Sequence, residues 1–192
     1  MIKKRIAIFA SGAGTNALNL INFFSNHSRI EVSLLISNKK NAPVIKNAEK
    51  LGVNVLSLDN EKVSKGEVLV DVCQNQGIDY IVLAGYLRKV PEELIAEYNE
   101  KIINLHPSLL PKHGGKGMYG MNVHEAVKSN KDEISGITIH LVNQEYDKGR
   151  FLAQFYTDIK QDNTPEEISK KVQVLEHSYF PVVVEQYINQ QK

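Results

Sequence analysis

Arg5-Ile6-Ala7-Ile8-Phe9-Ala10-Ser11-Gly12-Ala13-Gly14-Thr15-Asn16 sets an aliphatic run against a glycine-rich turn near the start of the chain. Residues 5–9 are short, apolar and rich in β-branched side chains, so they read as a strand. The glycines that follow suit a tight turn with positive φ, and residues 17–24 continue at helical length. Strand, turn and helix in this order make the first half of a βαβ unit. Working outward, residues 32–36, 53–56, 80–84 and 102–105 are further strand-like runs, separated by segments of helical length at 44–51, 63–76 and 91–98. The alternation predicts an α/β, Rossmann-like fold with a mainly parallel sheet flanked by helices. The first and fourth strands are apolar nearly throughout, as central strands covered on both faces should be.

The second half changes character. Residues 114–120 carry four glycines (Gly114, Gly115, Gly117, Gly120) and read as a loop. A short helix at 123–128 follows, and then two strands at 136–142 and 151–159, which the reading adds to the sheet as an antiparallel pair. Thr164 as N-cap, Pro165 at the first helical position and Glu167 closing a capping box start the last helix. Ile168, Val172, Leu175 and Tyr179 form its expected buried stripe, and Pro181 is expected to kink it. The expectation is one domain over residues 1–192, made of two overlapping halves over about 1–100 and about 80–192.

Composition excludes several classes of function. The 192 residues are 42% hydrophobic and 23% charged, with 23 Lys plus Arg against 22 Asp plus Glu. That is a globular balance, and a net charge of +1 argues against a nucleic acid as the main partner. Cys73 is the single cysteine, which rules out an intramolecular disulfide and fits a reducing, cytoplasmic setting. The N-terminal apolar run is too short for a signal sequence or a membrane span, so no membrane partner is expected. None of the six histidines (His27, His106, His113, His124, His140, His177) pairs at zinc-binding spacing, so no metal is expected.

Four places can carry chemistry. In a parallel sheet the turn Gly12, Ala13, Gly14, Thr15, Asn16 lies at the carboxyl edge of its strand, where backbone N–H groups and a helix N-terminus face an anion. Gly12, Gly14 and Ala17 also fit a dinucleotide fingerprint, but Ser37-Asn38-Lys39-Lys40 lacks the carboxylate that would hold a ribose. A phosphate monoester site and a plain structural turn both remain. In Asn104-Leu105-His106-Pro107, positions i and i+2 of a strand end present an amide and an imidazole to one side. An amide donor beside an imidazole suits acyl or formyl transfer, in which a carbonyl oxygen gains charge and a proton moves. Asp147 before Lys148-Gly149 is by itself turn chemistry, and only a partner such as His106 would promote it. Glu176, at the margin of the last helix's stripe, reads locally as a solvated carboxylate. Cys73 reads as helix packing.

Taken in order, Ser11 to Asn16, Val82-Leu83-Ala84-Gly85-Tyr86, Asn104-Leu105-His106-Pro107-Ser108-Leu109-Leu110-Pro111, Asp147-Lys148-Gly149 and Glu176-His177-Ser178-Tyr179-Phe180-Pro181 resemble the phosphoribosylglycinamide formyltransferases. These are a branch of the enzymes that use 10-formyltetrahydrofolate, and the resemblance covers nearly the whole chain. It implies Asn104, His106 and Asp147 as the catalytic trio, with a protonated His106 and Asn104 on the oxyanion and Asp147 supporting the imidazolium. It further implies Gly14, Thr15 and Asn16 on the ribonucleotide phosphate and Glu176 on the glycinamide. Leu87, Arg88, Lys89 and Val90 would line the pterin pocket, and Lys62 would meet the folate tail. The implied substrates are 5-phosphoribosylglycinamide and 10-formyltetrahydrofolate. The glycine stretch 114–120 departs from the family pattern, and we expect a lid there that orders on ligand binding. The rivals are another reaction on the same formyl donor, including its hydrolysis, and a non-catalytic folate- or nucleotide-binding protein.

Overall fold

The computed structural model describes residues 3–191, so Met1 and Ile2 of the N-terminal reading lie outside it. Its elements run β1 Lys4–Phe9, α1 Thr15–Phe24, β2 Ile30–Ser37, α2 Pro43–Lys50, β3 Asn54–Ser57, α3 Asn60–Ser64, α4 Gly66–Asn75, β4 Tyr80–Leu83, α5 Glu92–Glu97, β5 Ile102–His106, α6 Met121–Ser129, β6 Ile134–Leu141, β7 Phe151–Asp158 and α7 Pro165–Gln190. The strand order is β3-β2-β1-β4-β5-β6-β7, so β1 and β4 stand inside the sheet as their apolar sequences require. β1 pairs parallel with β2 and β4, β2 pairs parallel with β3, and β6 with β7 is antiparallel. The fold is therefore α/β, with a mainly parallel sheet and an antiparallel addition in the C-terminal half.

The chain forms two compact units, one ending at Ile103 and one starting at Asn104. In the first, Ile6, Ala7, Ile8 and Phe9 of β1 and Ile81 and Val82 of β4 are fully buried. α1 buries Ala17, Leu20, Ile21 and Phe24, the spacing of one helical face. Each of the larger side chains here, Ile, Val, Leu or Phe, contributes roughly 1.5–3 kcal/mol on burial. The expected helix over 63–76 is instead two helices, because Lys65 is extended (φ −89°, ψ 100°). The break coincides with close packing: a Cβ at Gly66 would overlap the Glu93 side chain of α5.

In the second unit, the capping box of α7 is formed. Thr164 Oγ1 accepts from the Glu167 N–H at 3.3 Å, and Glu167 Oε2 accepts from the Thr164 N–H at 2.9 Å. Ile168 and Val172 are buried as expected, but the stripe then departs from the sequence reading. Leu175 is only half-buried and Tyr179 is exposed, its ring stacked on Phe155 at 3.9 Å. The buried face resumes at Phe180, Pro181, Val183 and Val184, and the helix passes through Pro181 without a break. An exposed ring that stacks on β7 satisfies the same spacing as a core residue, which is why periodicity alone misplaced Tyr179.

Candidate active site

In the first unit, the turn after β1 is shaped by two local constraints. Gly14 is the N-cap of α1 at φ 74°, ψ 31°, a left-handed conformation that favours glycine. A Cβ at that position would also run into the Val44 side chain at the start of α2. Gly12, by contrast, has open space around its Cβ direction. The first turn of α1 holds no acidic residue, which keeps the partial positive end of the helix uncompensated toward an anion. Ser11 ties this loop to the segment after β4: its hydroxyl donates to Asn38 Oδ1 at 2.6 Å and accepts from the Leu87 N–H at 2.9 Å. Sequence reasoning missed that bridge, since nothing local relates Ser11 to positions 27 and 76 residues away.

The segment assigned to the pterin pocket borders a cleft of about 320 Å³, walled by Val63 and Ser64 on one side and by Arg88 through Glu93 on the other. Arg88, Lys89 and Val90 therefore line it. Leu87 is not among its walls and is 47% exposed. Lys62 precedes the Val63 wall, with its backbone N–H donating to Asp59 Oδ1 at 2.8 Å.

The second unit gathers the trio. His106, at the end of β5, is buried, and its Nδ1 lies 3.6 Å from Asp147 Oδ2. On the other side of the ring, Nε2 is 2.8 Å from the His113 carbonyl oxygen. A carbonyl only accepts, so Nε2 carries the hydrogen and Nδ1 is the nitrogen left for chemistry. Asp147 itself has φ 56°, and its Oδ2 accepts the Gly115 N–H at 2.8 Å. Asn104 and His106 lie in the same strand as expected, and Asn104 touches a further imidazole: its Nδ2 is 3.1 Å from His140 Nε2. His140 Nδ1 faces the Leu141 carbonyl oxygen at 2.8 Å, so in the neutral ring Nε2 is bare and the Asn104 amide donates to it. His140 Nε2 also stands 3.6 Å from Asp147 Oδ1, so one carboxylate faces two imidazoles.

His140 is the residue that sequence reasoning passed over. The signal was available, because Thr138 and His140 in β6 repeat the i, i+2 polar-then-imidazole spacing of Asn104 and His106. Glu176 is half-buried on α7 and takes part in interactions there. His124, on α6, is buried with its Nδ1 lacking a hydrogen-bond partner, and burial followed by the nearby His106 ring pushes its pKa down to about 4.

Electrostatics bear on when the imidazolium forms. Burial lowers the His106 pKa below the ordinary histidine value and outweighs the raising effects of Asp147 and of the His113 carbonyl. The resting ring is therefore neutral at neutral pH, so the imidazolium that the resemblance implies beside the oxyanion has to form during the reaction. The Asp147 carboxyl would be raised by burial, but the His140 and His106 imidazoles, each 3.6 Å away, and the Gly115 N–H hold it below the ordinary carboxylate value. It is ionised at neutral pH.

The chain belongs to the formyl transferase family, whose model residues 4–184 match. Among curated relatives, the Arabidopsis thaliana chloroplastic phosphoribosylglycinamide formyltransferase is 41% identical over 95% of this chain and 64% of its own length. The Bacillus subtilis phosphoribosylglycinamide formyltransferase is 30% identical over 96% of this chain and 95% of its own. The chain thus spans under two thirds of the plant relatives it matches, the Vigna unguiculata one being covered over 60%. The crystal structure of phosphoribosylglycinamide formyltransferase from Bacillus halodurans superposes with a TM-score of 0.88 at 33% identity, covering 98% of this chain and 97% of that one.

Proposed function

We propose that the chain transfers the formyl group of 10-formyltetrahydrofolate to the amine of 5-phosphoribosylglycinamide, a step of purine biosynthesis. The observation that carries this reading is the Asp147 carboxylate 3.6 Å from both His106 and His140, with the Asn104 amide beside His140. The three relatives and the solved structure named above are all named as phosphoribosylglycinamide formyltransferases.

His106 Nδ1, bare at neutral pH, takes a proton from the attacking amine as the new C–N bond forms at the formyl carbon. Asp147 stabilises the imidazolium that results, which is favourable because the carboxylate is already ionised and desolvated. Asn104 donates to the oxygen of the tetrahedral intermediate, where negative charge develops. The C–N bond to the folate then breaks as the proton that His106 took from the amine passes to N10, returning the ring to neutral, and the products are the formylated ribonucleotide and tetrahydrofolate. None of these steps calls on a metal. Holding the two substrates in attack geometry supplies much of the rate, on the order of 7–11 kcal/mol for well-oriented reactants.

We assign the ribonucleotide phosphate to Gly12, Ala13, Gly14, Thr15 and Asn16, and the glycinamide to Glu176. The folate falls to the cleft bordered by Arg88, Lys89 and Val90, with Leu87 and Lys62 at its margins. The cleft's apolar Val63, Val90 and Pro91 suit an aromatic ring system, and its cations suit the carboxylates of a folate tail. Within this reading residues 1–192 work as one catalytic domain. Among the described residues no helix is long and apolar enough to cross a membrane. We place the enzyme in the cytoplasm, with small-molecule partners and no nucleic acid. The deciding experiment follows loss of the formyl group from 10-formyltetrahydrofolate with and without glycinamide ribonucleotide. Acceleration by the amine is expected; equal rates would leave a hydrolase or a binding protein.

A further inference from the structure

The His106 ring depends on a single main-chain oxygen for its tautomer. If Nε2–H did not meet the His113 carbonyl at 2.8 Å, the proton could reside on Nδ1, the nitrogen that faces Asp147. What holds the His113 carbonyl in place is therefore part of the catalytic apparatus. His113 is a non-glycine residue at φ 53°, a conformation that its own backbone disfavours. Its side chain is fixed from outside the turn: Nε2 lies 2.6 Å from Asp132 Oδ2. The other oxygen of Asp132 accepts from Lys112 Nζ at 2.8 Å and from Asn130 Nδ2 at 2.7 Å.

Asp132 is itself anchored, with its N–H donating to the Val127 carbonyl at the C-terminal end of α6. It is largely buried, its side chain 9% exposed and that of His113 13% exposed. The other side of the turn is also pinned, because Ser108 Oγ donates to the Lys112 carbonyl at 2.7 Å. Burial alone would raise the Asp132 carboxyl, yet hydrogen bonds from Lys112, His113 and Asn130 outweigh it and bring the pKa to about 2. The acceptor is thus charged throughout the working pH range.

We infer that Asp132 is a positioning residue for formyl transfer, acting through the His113 side chain to hold the carbonyl that keeps the His106 proton on Nε2. The inference rests on the reaction proposed above for its catalytic half. It assigns to a carboxylate in the α6–β6 turn, outside the trio, control over which nitrogen of His106 is basic.

The test compares Asp132→Ala, Asp132→Asn and His113→Asn with the unaltered protein. Asparagine at 113 tolerates a left-handed backbone but is too short to reach Asp132. Asparagine at 132 keeps an oxygen that can accept from His113 Nε2–H. Nitrogen NMR of the His106 ring in the ligand-free protein should show one tautomer, protonated at Nε2, in the unaltered protein and in Asp132→Asn. It should show a tautomer mixture in Asp132→Ala and His113→Asn. Turnover should fall about tenfold in the latter two with KM for both substrates within about twofold, as expected when a reacting group is misplaced while the substrates are still held normally. Asp132→Asn should recover to within about threefold. The Asp132→Ala, His113→Asn double variant should be no worse than either single one. An Asp132→Ala protein that loses only thermal stability, with unaltered His106 signals and turnover, overturns the inference. If Asp132→Ala does not fold, His113→Asn decides it on the same readouts. An unaltered protein without amine-dependent formyl loss defeats the proposed reaction and the catalytic half of the inference, while the NMR comparison still judges the clamp.

Discussion

The glycine-bearing loop at residues 11–16 and the longer one at 107–120 both leave the end of a β-strand, yet they are held by different means. The first is shaped mainly by backbone geometry: a left-handed Gly14 caps α1, its carbonyl accepts the Leu18 N–H at 2.8 Å, and the Val44 side chain fills the space a Cβ would need there, while the Ser11 hydroxyl ties the loop to Asn38 and to the Leu87 N–H. The second is held by side chains from distant positions. Thr138 Oγ1 donates to the Ser108 carbonyl at 2.7 Å and accepts the Leu110 N–H at 3.0 Å, and Gln154 Nε2 donates to the Leu110 carbonyl at 3.0 Å. Asp132 and Asp147 complete it through His113 and Gly115. A loop held by backbone geometry suits recognition of an invariant anion. A loop held by polar side chains can set the protonation and orientation of the reacting groups, because each of its anchors carries hydrogen-bond direction.

The largest effect that would break this contrast concerns Asn104. Its amide already donates to His140, so substitution by alanine removes an oxyanion donor and leaves His140 Nε2 without that partner. Asn104→Ala should lower turnover on the order of 10²–10³-fold, the usual consequence of losing one such donor, with smaller changes in substrate binding. Steady-state kinetics with separate binding measurements check it. Near-normal turnover would return Asn104 to a structural role at the strand end from which the second loop leaves.

Next come two glycines of the first loop, which the structure separates. Gly14→Val meets both a left-handed φ and the Val44 side chain, so its main effect is on folding, on the order of 3 kcal/mol of stability. Gly12→Val has open space for its Cβ, so the fold should survive while the new side chain occupies the loop's open side. Ribonucleotide affinity should then fall about tenfold, or about 1.4 kcal/mol, with folate binding spared. Thermal denaturation and calorimetry on both variants distinguish the two outcomes. Equal ribonucleotide and folate losses in a folded Gly12→Val protein would remove the phosphate from this loop.

The same division explains what could be read from the sequence. The strand and helix alternation, the interior place of β1 and β4, the antiparallel β6–β7 pair and the α7 capping box all follow from local period and turn chemistry, and each is present. Asn104 and His106 could be paired because a strand fixes i and i+2 on one side. Asp147 could be assigned only conditionally, since its separation from His106 along the chain is closed by tertiary structure. His113 and Asp132 were opaque for that reason, since their meaning lies in partners 7 and 19 residues away, whereas His140 carried a local signal in its spacing from Thr138. The neutral state of His106 was opaque too, because burial is a property of the fold and it outweighs the one carboxylate the sequence suggests.

A smaller effect sharpens the electrostatic side of the comparison. Asp147 raises the His106 pKa while burial lowers it further. Asp147→Asn removes the charge that favours the imidazolium and leaves the burial, so the pKa must move down again. Because folding already depresses it, His106 favours the folded state fully above the unfolded-chain value near 6.5, and that contribution fades as pH falls through the folded value. The variant should push that fading to more acidic pH. Ring titration by NMR in both proteins reads the shift directly, and an unchanged pKa would mean that the 3.6 Å approach of His106 to Asp147 carries no electrostatic weight.

The smallest effect lies in the glycine stretch 114–120, where the lid expectation meets two fixed points. The Gly115 N–H donates to Asp147 Oδ2 at 2.8 Å, and the Met118 N–H donates to the Gly115 carbonyl at 3.1 Å. With both bonds formed, closure of this segment has its room beyond them, around the positive-φ Gly117 and Gly120. Hydrogen exchange in the free protein should show protection at Gly115 and Met118 that Lys116 and Tyr119 lack, because protection follows the bonded amides rather than the segment as a whole. Asp147→Ala removes the acceptor of one bond only. It should release Gly115 while Met118, whose partner is main chain, keeps most of its protection. Loss at both amides together would mean that the carboxylate orders the entire loop, making Asp147 an anchor for the lid as well as for the two histidines.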